Sequence, residues 1–284
     1  LGILIDNAIE EAEKCNEKIV RLSFIHENKN NRSVITVKNT YSNKFGDLLK
    51  YEICNTKTSM INKNSGQDII YQKNKVDNLK IASKTMNHIL IYPGEIFSYC
   101  YLIKNAKKYG KYKDGLILVD GKIVAKKGGG LCHLSNLLHY LFLMSPLTVT
   151  ERHGHKVKSF PNPDKSSLEG IDATISSGWL DLKVKNETNN IYQIDISFDE
   201  DYMYGKILSN SESNVDYKIV NGNLKYVKEN ENIYECVEVI RVEIDKKTRK
   251  EIRKEKLYDE KVLIEYELPS DVKVEEMWFL WKKQ

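Results

Sequence analysis

The segment Gly128-Gly129-Gly130-Leu131-Cys132-His133-Leu134-Ser135-Asn136-Leu137-Leu138-His139 sets a cysteine directly after three glycines. Leu131, Leu134, Leu138, Leu141 and Phe142 recur at helical spacing and Pro146 follows, so a helix is expected with Cys132 in its first turn. The first N–H groups of a helix have no intrahelical partner and carry about half a positive charge between them. A thiolate is stabilised there, and a cysteine pKa near ~8.5 falls. Gly129 and Gly130 carry no side chains, so a substrate backbone can approach closely. The free N–H groups from Gly130 to His133 are then placed to hold a carbonyl oxygen as it becomes an oxyanion. The competing reading is plain packing, with the glycines as a hinge and Cys132 as a small core residue.

A cysteine nucleophile needs a base within about 3 Å. His133, His139, His153 and His155 all fall close behind Cys132 in sequence. His139 lies seven residues along the same helix, about 10 Å away at the helical rise, too far to take the proton. His133 is adjacent in sequence but turned about 100° around the helix. Thr148-Val149-Thr150-Glu151-Arg152-His153-Gly154-His155 reads as a strand returning from the helix, with His153 and His155 on one face. His155 is the favoured base and His153 the second. Metal binding is the rival use, since His-x-His with Cys132 or His133 supplies three zinc ligands. However, no HExxH or paired-cysteine spacing accompanies it, and neither a metal nor another cofactor is expected.

The elements that must position these residues can be read more coarsely. The 284 residues suffice for one large domain or two ordinary ones, and 41% hydrophobic with 30% charged residues sustains a core. The expected class is α+β: a mixed core with the cysteine-bearing helix after the Gly-Gly-Gly turn, and a C-terminal annex rich in β-hairpins. Three regions are expected, at 1–44, 45–198 and 199–284. In the third, alternation through Val237, Val239, Arg241 and Glu243, the charged run Lys246–Lys254, and Ile264 to Leu268 read as hairpins. Net charge is +4 with both signs interspersed, which gives no nucleic-acid signature. No run of 18 apolar residues predicts a membrane span. The five cysteines, Cys15, Cys54, Cys100, Cys132 and Cys236, are odd in number and widely spaced, so reduced thiols are expected. No signal peptide is visible, and Leu1 in place of Met reads as the start of a fragment. As written the chain is expected in the cytoplasm; with an export segment ahead of Leu1 it is expected in the cell envelope. Oligomeric state is not legible.

Pro93-Gly94-Glu95-Ile96-Phe97-Ser98, Lys113-Asp114-Gly115, the glycine–cysteine segment through Asn136, Glu151-Arg152-His153-Gly154-His155, Asp172-Ala173-Thr174-Ile175 and Leu180-Asp181-Leu182-Lys183 together resemble the VanW family, across roughly residues 45–269. The resemblance implies a protein associated with vancomycin resistance and the cell wall. Some members are peptidoglycan L,D-transpeptidases whose motif cysteine is the nucleophile, here Cys132, with His155 as the motif histidine. Their partners are peptidoglycan stem peptides or precursors. His133 stands where Gln is usual, and Lys156 where Ser is usual. On this reading Cys132 forms a thioester with a stem peptide and His155 shuttles the proton. Arg152 either binds a substrate carboxylate or forms a strand-end salt bridge. Glu95 and Ser98 either orient the base or cap a helix, and Asp172 orients the histidine. The alternatives are a non-catalytic accessory or precursor-binding module, and a zinc protein. Separately, Leu1–Ala12 with Asp6-Asn7, and Val37–Tyr41, resemble part of the GHKL ATP-binding domain of histidine kinases. In that family the residue matched by Asn7 helps hold magnesium. The glycine-rich ATP boxes do not follow, so a truncated remnant without ATPase activity is expected.

Overall fold

The computed structural model describes residues 20–27, 32–39, 46–119, 122–162, 167–176 and 178–276, with Ile5 and Ile9. The chain divides into two compact units, 1–46 and 47–284. In the first, β1 (Val20–Glu27) and β2 (Arg32–Asn39) pair antiparallel from Val20↔Asn39 to Glu27↔Arg32. Ile5 and Ile9 are helical, and Asp6-Asn7 lies outside the described residues.

The second unit is mixed and strand-rich, a composition compatible with α+β. Among its described residues there are three α-helices: α1 (Ile69–Ser83), α2 (Tyr99–Ile103) and α3 (Cys132–Leu143). Asp68 caps α1 by accepting from the Ile70 N–H at 2.9 Å. A four-stranded sheet runs β3-β12-β11-β4, from β3 (Tyr51–Ser59), β4 (Leu90–Ile91), β11 (Tyr192–Phe198) and β12 (Tyr202–Ser209). Helix α3 lies on it. Leu134, Leu138, Leu141 and Phe142 are fully buried, and Leu137 and Leu141 press against Gly205 of β12, where a side chain would collide with them. Burial of this apolar face fixes where the first turn of α3 stands, and truncating one such leucine to alanine costs about 2–5 kcal/mol.

A three-stranded sheet, β5-β10-β8, holds β5 (Ile96–Ser98), β8 (Thr148–Glu151) and β10 (Lys183–Lys185). The hairpin of β6 (Asp114–Val119) and β7 (Lys122–Lys127) leads into the glycine turn. The last sheet is ordered β16-β13-β14-β15-β9. Its long antiparallel strands are β13 (Val215–Glu229), β14 (Asn232–Asp245) and β15 (Glu251–Ile264). The charged run forms the β14–β15 turn, where Asp245 accepts from Thr248 N–H and hydroxyl at 2.6 and 2.8 Å. Short β16 (Val274–Glu276) flanks β13, and β9 (Val157–Lys158) joins β15 in parallel. Through β9 this sheet reaches the residues that follow His155.

Candidate active site

The turn before α3 owes its shape to two close backbone approaches. Gly129 lies against Gly115 so tightly that a Cβ there would fall 2.2 Å from the Gly115 carbonyl oxygen. Gly130 adopts φ +89° and carries the Lys75 side chain over it. Asn78 of α1 ties the turn down. Its amide donates to Gly129 O and Lys113 O, both at 3.0 Å, and its oxygen accepts from Lys113 N–H at 2.8 Å. Buried Tyr99 donates its hydroxyl to Leu131 O at 3.0 Å. Helix α3 then begins at Cys132. The His133 N–H is already committed to Gly130 O at 3.1 Å, so the expected oxyanion donors shrink to those ahead of it. Among the described residues, nothing accepts from Leu131 or Cys132 N–H.

Two side chains of α3 bring the partner segment alongside the thiol. Asn136 Oδ1 accepts from Ala173 N–H at 2.7 Å, and the Ser135 hydroxyl donates to Ala173 O at 2.6 Å. Segment 172–175 is thereby fastened along the helix, with Thr174 Oγ1 3.8 Å from Cys132 Sγ. The expected strand through His155 ends at Glu151 instead, because the backbone beyond it is used otherwise. The His153 carbonyl accepts from Thr174 N–H at 2.7 Å, and His155 N–H donates to Asp172 Oδ2 at 2.7 Å.

Asp172 Oδ2 also takes the Nδ1–H of His155 in a short hydrogen bond. With Nδ1 so engaged, Nε2 is the ring nitrogen left to act on the thiol. Burial by itself would raise the thiol pKa. The His155 imidazole outweighs it, helped by the Ile175 N–H and the Thr174 hydroxyl, so Cys132 lies below the ordinary cysteine value. Burial would likewise lower His155, but Asp172 and Cys132 push it up to about 10. Burial would raise Asp172, yet His155 and then Arg152 hold it below the usual carboxylate range. At neutral pH His155 is thus an imidazolium between a carboxylate and a thiol whose ionisation it favours.

Arg152 supports the carboxylate rather than facing a substrate. Its side chain is only 11% exposed. It donates to Asp172 O at 2.7 Å, Asp172 Oδ1 at 3.2 Å and Gly170 O at 3.2 Å, and in a short hydrogen bond to Glu260 of β15. Its guanidinium lies 4.7 Å from the Tyr258 ring centroid, also on β15. The Glu260 carboxylate occupies the space a side chain on Gly154 would need, which accounts for glycine between the two histidines.

The structure does not bring the other predicted residues to the thiol. His153 turns to Glu151 Oε1 at 3.1 Å and is 38% exposed. The His133 ring meets Thr58 Oγ1 at 3.0 Å, and burial with the nearby Lys75 charge lowers its pKa to about 3. His139 is buried, bonded through Nδ1 to Ile171 O at 2.7 Å and stacked on Tyr258 at 6.2 Å. Glu95 Oε2 accepts from Tyr92 N–H at 2.9 Å within the Pro93-Gly94 turn. The Ser98 hydroxyl accepts from Tyr101 N–H at 3.2 Å, capping α2, and donates to Asp181 at 2.6 Å. Among the described residues, no three His, Cys, Asp or Glu side chains are grouped to hold a metal ion. Nor is any helix there long and apolar enough to cross a membrane.

A family model described as VanW like protein matches residues 74–208. The chain is 44% identical over 237 residues to the Vancomycin B-type resistance protein VanW of Enterococcus faecalis, spanning 83% of this chain and 86% of that protein. The chain belongs to the VanW family. The VanW match takes in Asn78, the glycine turn, Cys132, His155 and Asp172, and stops short of Tyr258 and Glu260. The chain is also 27% identical over 128 residues to the uncharacterized protein YoaR of Bacillus subtilis, 44% of this chain and 41% of that one. A GHKL domain model matches residues 1–88, running past residue 44 and overlapping the start of the VanW match. No solved structure matches.

Ser135, Asn136 and Thr174 carry no signal in the sequence beyond their place in the family motifs, and Tyr258 and Glu260 carry none. Their roles depend on contacts across 37 to 108 residues of chain.

Proposed function

We propose that this VanW-family protein is a cysteine acyltransferase acting on peptidoglycan stem peptides, of the L,D-transpeptidase type. The observation that carries the reading is the Cys132–His155–Asp172 array, with the thiol lowered and the imidazole raised. The vancomycin-resistance name of the Enterococcus faecalis relative fits a cell-wall substrate. In the mechanism, the Cys132 thiolate attacks the carbonyl carbon of a stem-peptide amide. The N–H groups of Leu131 and Cys132 hold the oxyanion. The His155 Nε2–H passes its proton to the departing amine as the C–N bond breaks, leaving a thioester on Sγ. An amine from a second stem then attacks, His155 takes its proton, and the thiolate leaves with a new amide formed. Water in place of that amine releases a trimmed peptide. Gly129 and Gly130 shape the turn against Gly115 and the Lys75 stem rather than opening it to substrate. The core lies in residues 45–198, and residues 199–284 form an annex whose Glu260 and Tyr258 brace the site. Residues 1–44 are a GHKL remnant, and the purified protein is expected to hydrolyse no ATP.

The test is incubation with a tetrapeptide stem donor and intact-mass detection. An acyl adduct is expected on the wild type and absent from Cys132→Ala. An adduct on both, or on neither, refutes the reading.

A further inference from the structure

Buried cations in folded chains are paired, because an unpaired one forfeits its hydration without compensation. The half-buried cations around the Cys132 site follow that rule. Arg152 is held by Asp172 and Glu260, Lys158 by Glu169 and Glu235, and Lys183 by Glu151. Lys75 does not. Among the described residues it has no ion-pair or hydrogen-bond partner.

Its position is fixed by its helix. Lys75 lies three residues before Asn78 on α1 and therefore shares the face that Asn78 presents to the glycine turn. Its stem lies directly over Gly130. A Cβ built there would fall 2.3 Å from Lys75 Cγ and 2.8 Å from Cδ, so the glycine makes room for this lysine. Gly130 is two residues ahead of Cys132. Beyond the stem, the ammonium is close enough to the His133 ring to help keep it unprotonated. Burial lowers Lys75 to about 8, which leaves it mostly charged at neutral pH. Arg152, the residue whose type first pointed to carboxylate binding, is engaged by two protein carboxylates and is not free for that task.

We infer that Lys75 is the group that binds a substrate carboxylate beside Cys132, selecting peptides whose scissile amide is the last one, with the free terminal carboxylate one residue beyond the attacked carbonyl. The inference rests on the acyl-transfer reading for its substrate, and on the geometry of α1 and the glycine turn for its site. The cation that lacks a protein anion is then matched by the substrate's own, and only a peptide ending at that position supplies it.

The test separates the two claims. Cys132 is alkylated with iodoacetate and, in parallel, with iodoacetamide, and the rate ratio is read by peptide mass spectrometry. Both reagents attack the same thiolate, so the ratio cancels any change in thiol pKa or access. In Lys75→Met the iodoacetate-to-iodoacetamide ratio is expected to fall roughly fivefold to tenfold, the effect of removing one nearby, partly screened charge. Lys75→Arg is expected to retain it. Lys75→Gln repeats the measurement with a different neutral side chain, and the iodoacetamide rate reports in each sample that the site is formed. An unchanged ratio in both neutral variants overturns the inference. A second arm compares a stem tetrapeptide with its C-terminal amide: the acid is expected to acylate wild type faster, with the preference lost in Lys75→Met. A wild type that shows the haloacetate effect but acylates with neither peptide retains the anion site and refutes the acyl-transfer reading.

Discussion

Replacing Asp172 by Asn probes the array without removing its shape. The Asp172 carboxylate accepts two hydrogen bonds from His155, one from its N–H at 2.7 Å and one from Nδ1–H, and a third from Arg152. The amide oxygen of Asn can keep one or two of these contacts but not the charge. Arg152 still holds Glu260 and Gly170 O, so the fold should survive. A hydrogen bond to a charged group is worth about 1.5–3 kcal/mol, and about 1.36 kcal/mol corresponds to one pKa unit, so the array should weaken by roughly one to two pH units. The sign follows from the partners. Asp172 helps raise His155 to about 10, so its loss lowers the imidazole, weakens the imidazolium beside Sγ and raises the thiol. The assay is the pH dependence of iodoacetamide labelling at Cys132. The midpoint in Asp172→Asn should move up by that amount while thermal unfolding stays cooperative. A midpoint unmoved in a folded variant would refute the argument that Asp172 poises the pair.

Three further outcomes follow from the same geometry. His153→Ala should leave the labelling midpoint of Cys132 where it is, since His153 pairs with Glu151; a change comparable to that of Asp172→Asn would show that the wrong imidazole has been assigned. Glu260→Gln should cost roughly 1–3 kcal/mol in denaturant unfolding and move the midpoint less than Asp172→Asn, because Arg152 keeps its bonds to Asp172; no loss of stability would contradict the bracing role of β15. The raised imidazole also has a pH signature when the wild type is compared with His155→Ala. His155 is raised from 6.5 to about 10, so its contribution to stability is fully present below about 6.5 and is lost as pH rises through about 10. The lowered Cys132 has the opposite sign, its contribution being present above about 9 and lost as pH falls. A stability deficit of His155→Ala that does not shrink between about 6.5 and 10, measured by denaturant titration, would contradict the pairing.

Helix α3 was legible in the sequence because its apolar residues repeat at helical spacing, and Cys132 stood out because three glycines precede it. The β14–β15 hairpin was legible for a similar reason, with alternating residues on both sides of a charged turn. His155 could be favoured over His139 from helical rise alone. What the spacing did not show was every contact made across the chain. The strand expected through His155 stops at Glu151, because Asp172 takes the His155 N–H and Thr174 takes the His153 carbonyl. Arg152 read equally as a substrate ligand or a salt-bridge residue, and the choice was not legible because its partner Glu260 lies 108 residues away in a region with no visible chemistry. Gly129 read as freedom for a substrate, whereas part of its role is a backbone approach to Gly115. Local periodicity reports which face is buried, and not which distant side chain meets it there.

The central claim is that one sulfur of this chain ionises more readily than an ordinary cysteine while the others ionise less readily. Site-resolved labelling of the intact protein with iodoacetamide at pH 6 tests it most directly. Burial pushes Cys54 and Cys100 up to about 12 and raises Cys236 as well, so these should remain unlabelled while Cys132 reacts. Labelling of Cys132 no faster than these three would contradict the account.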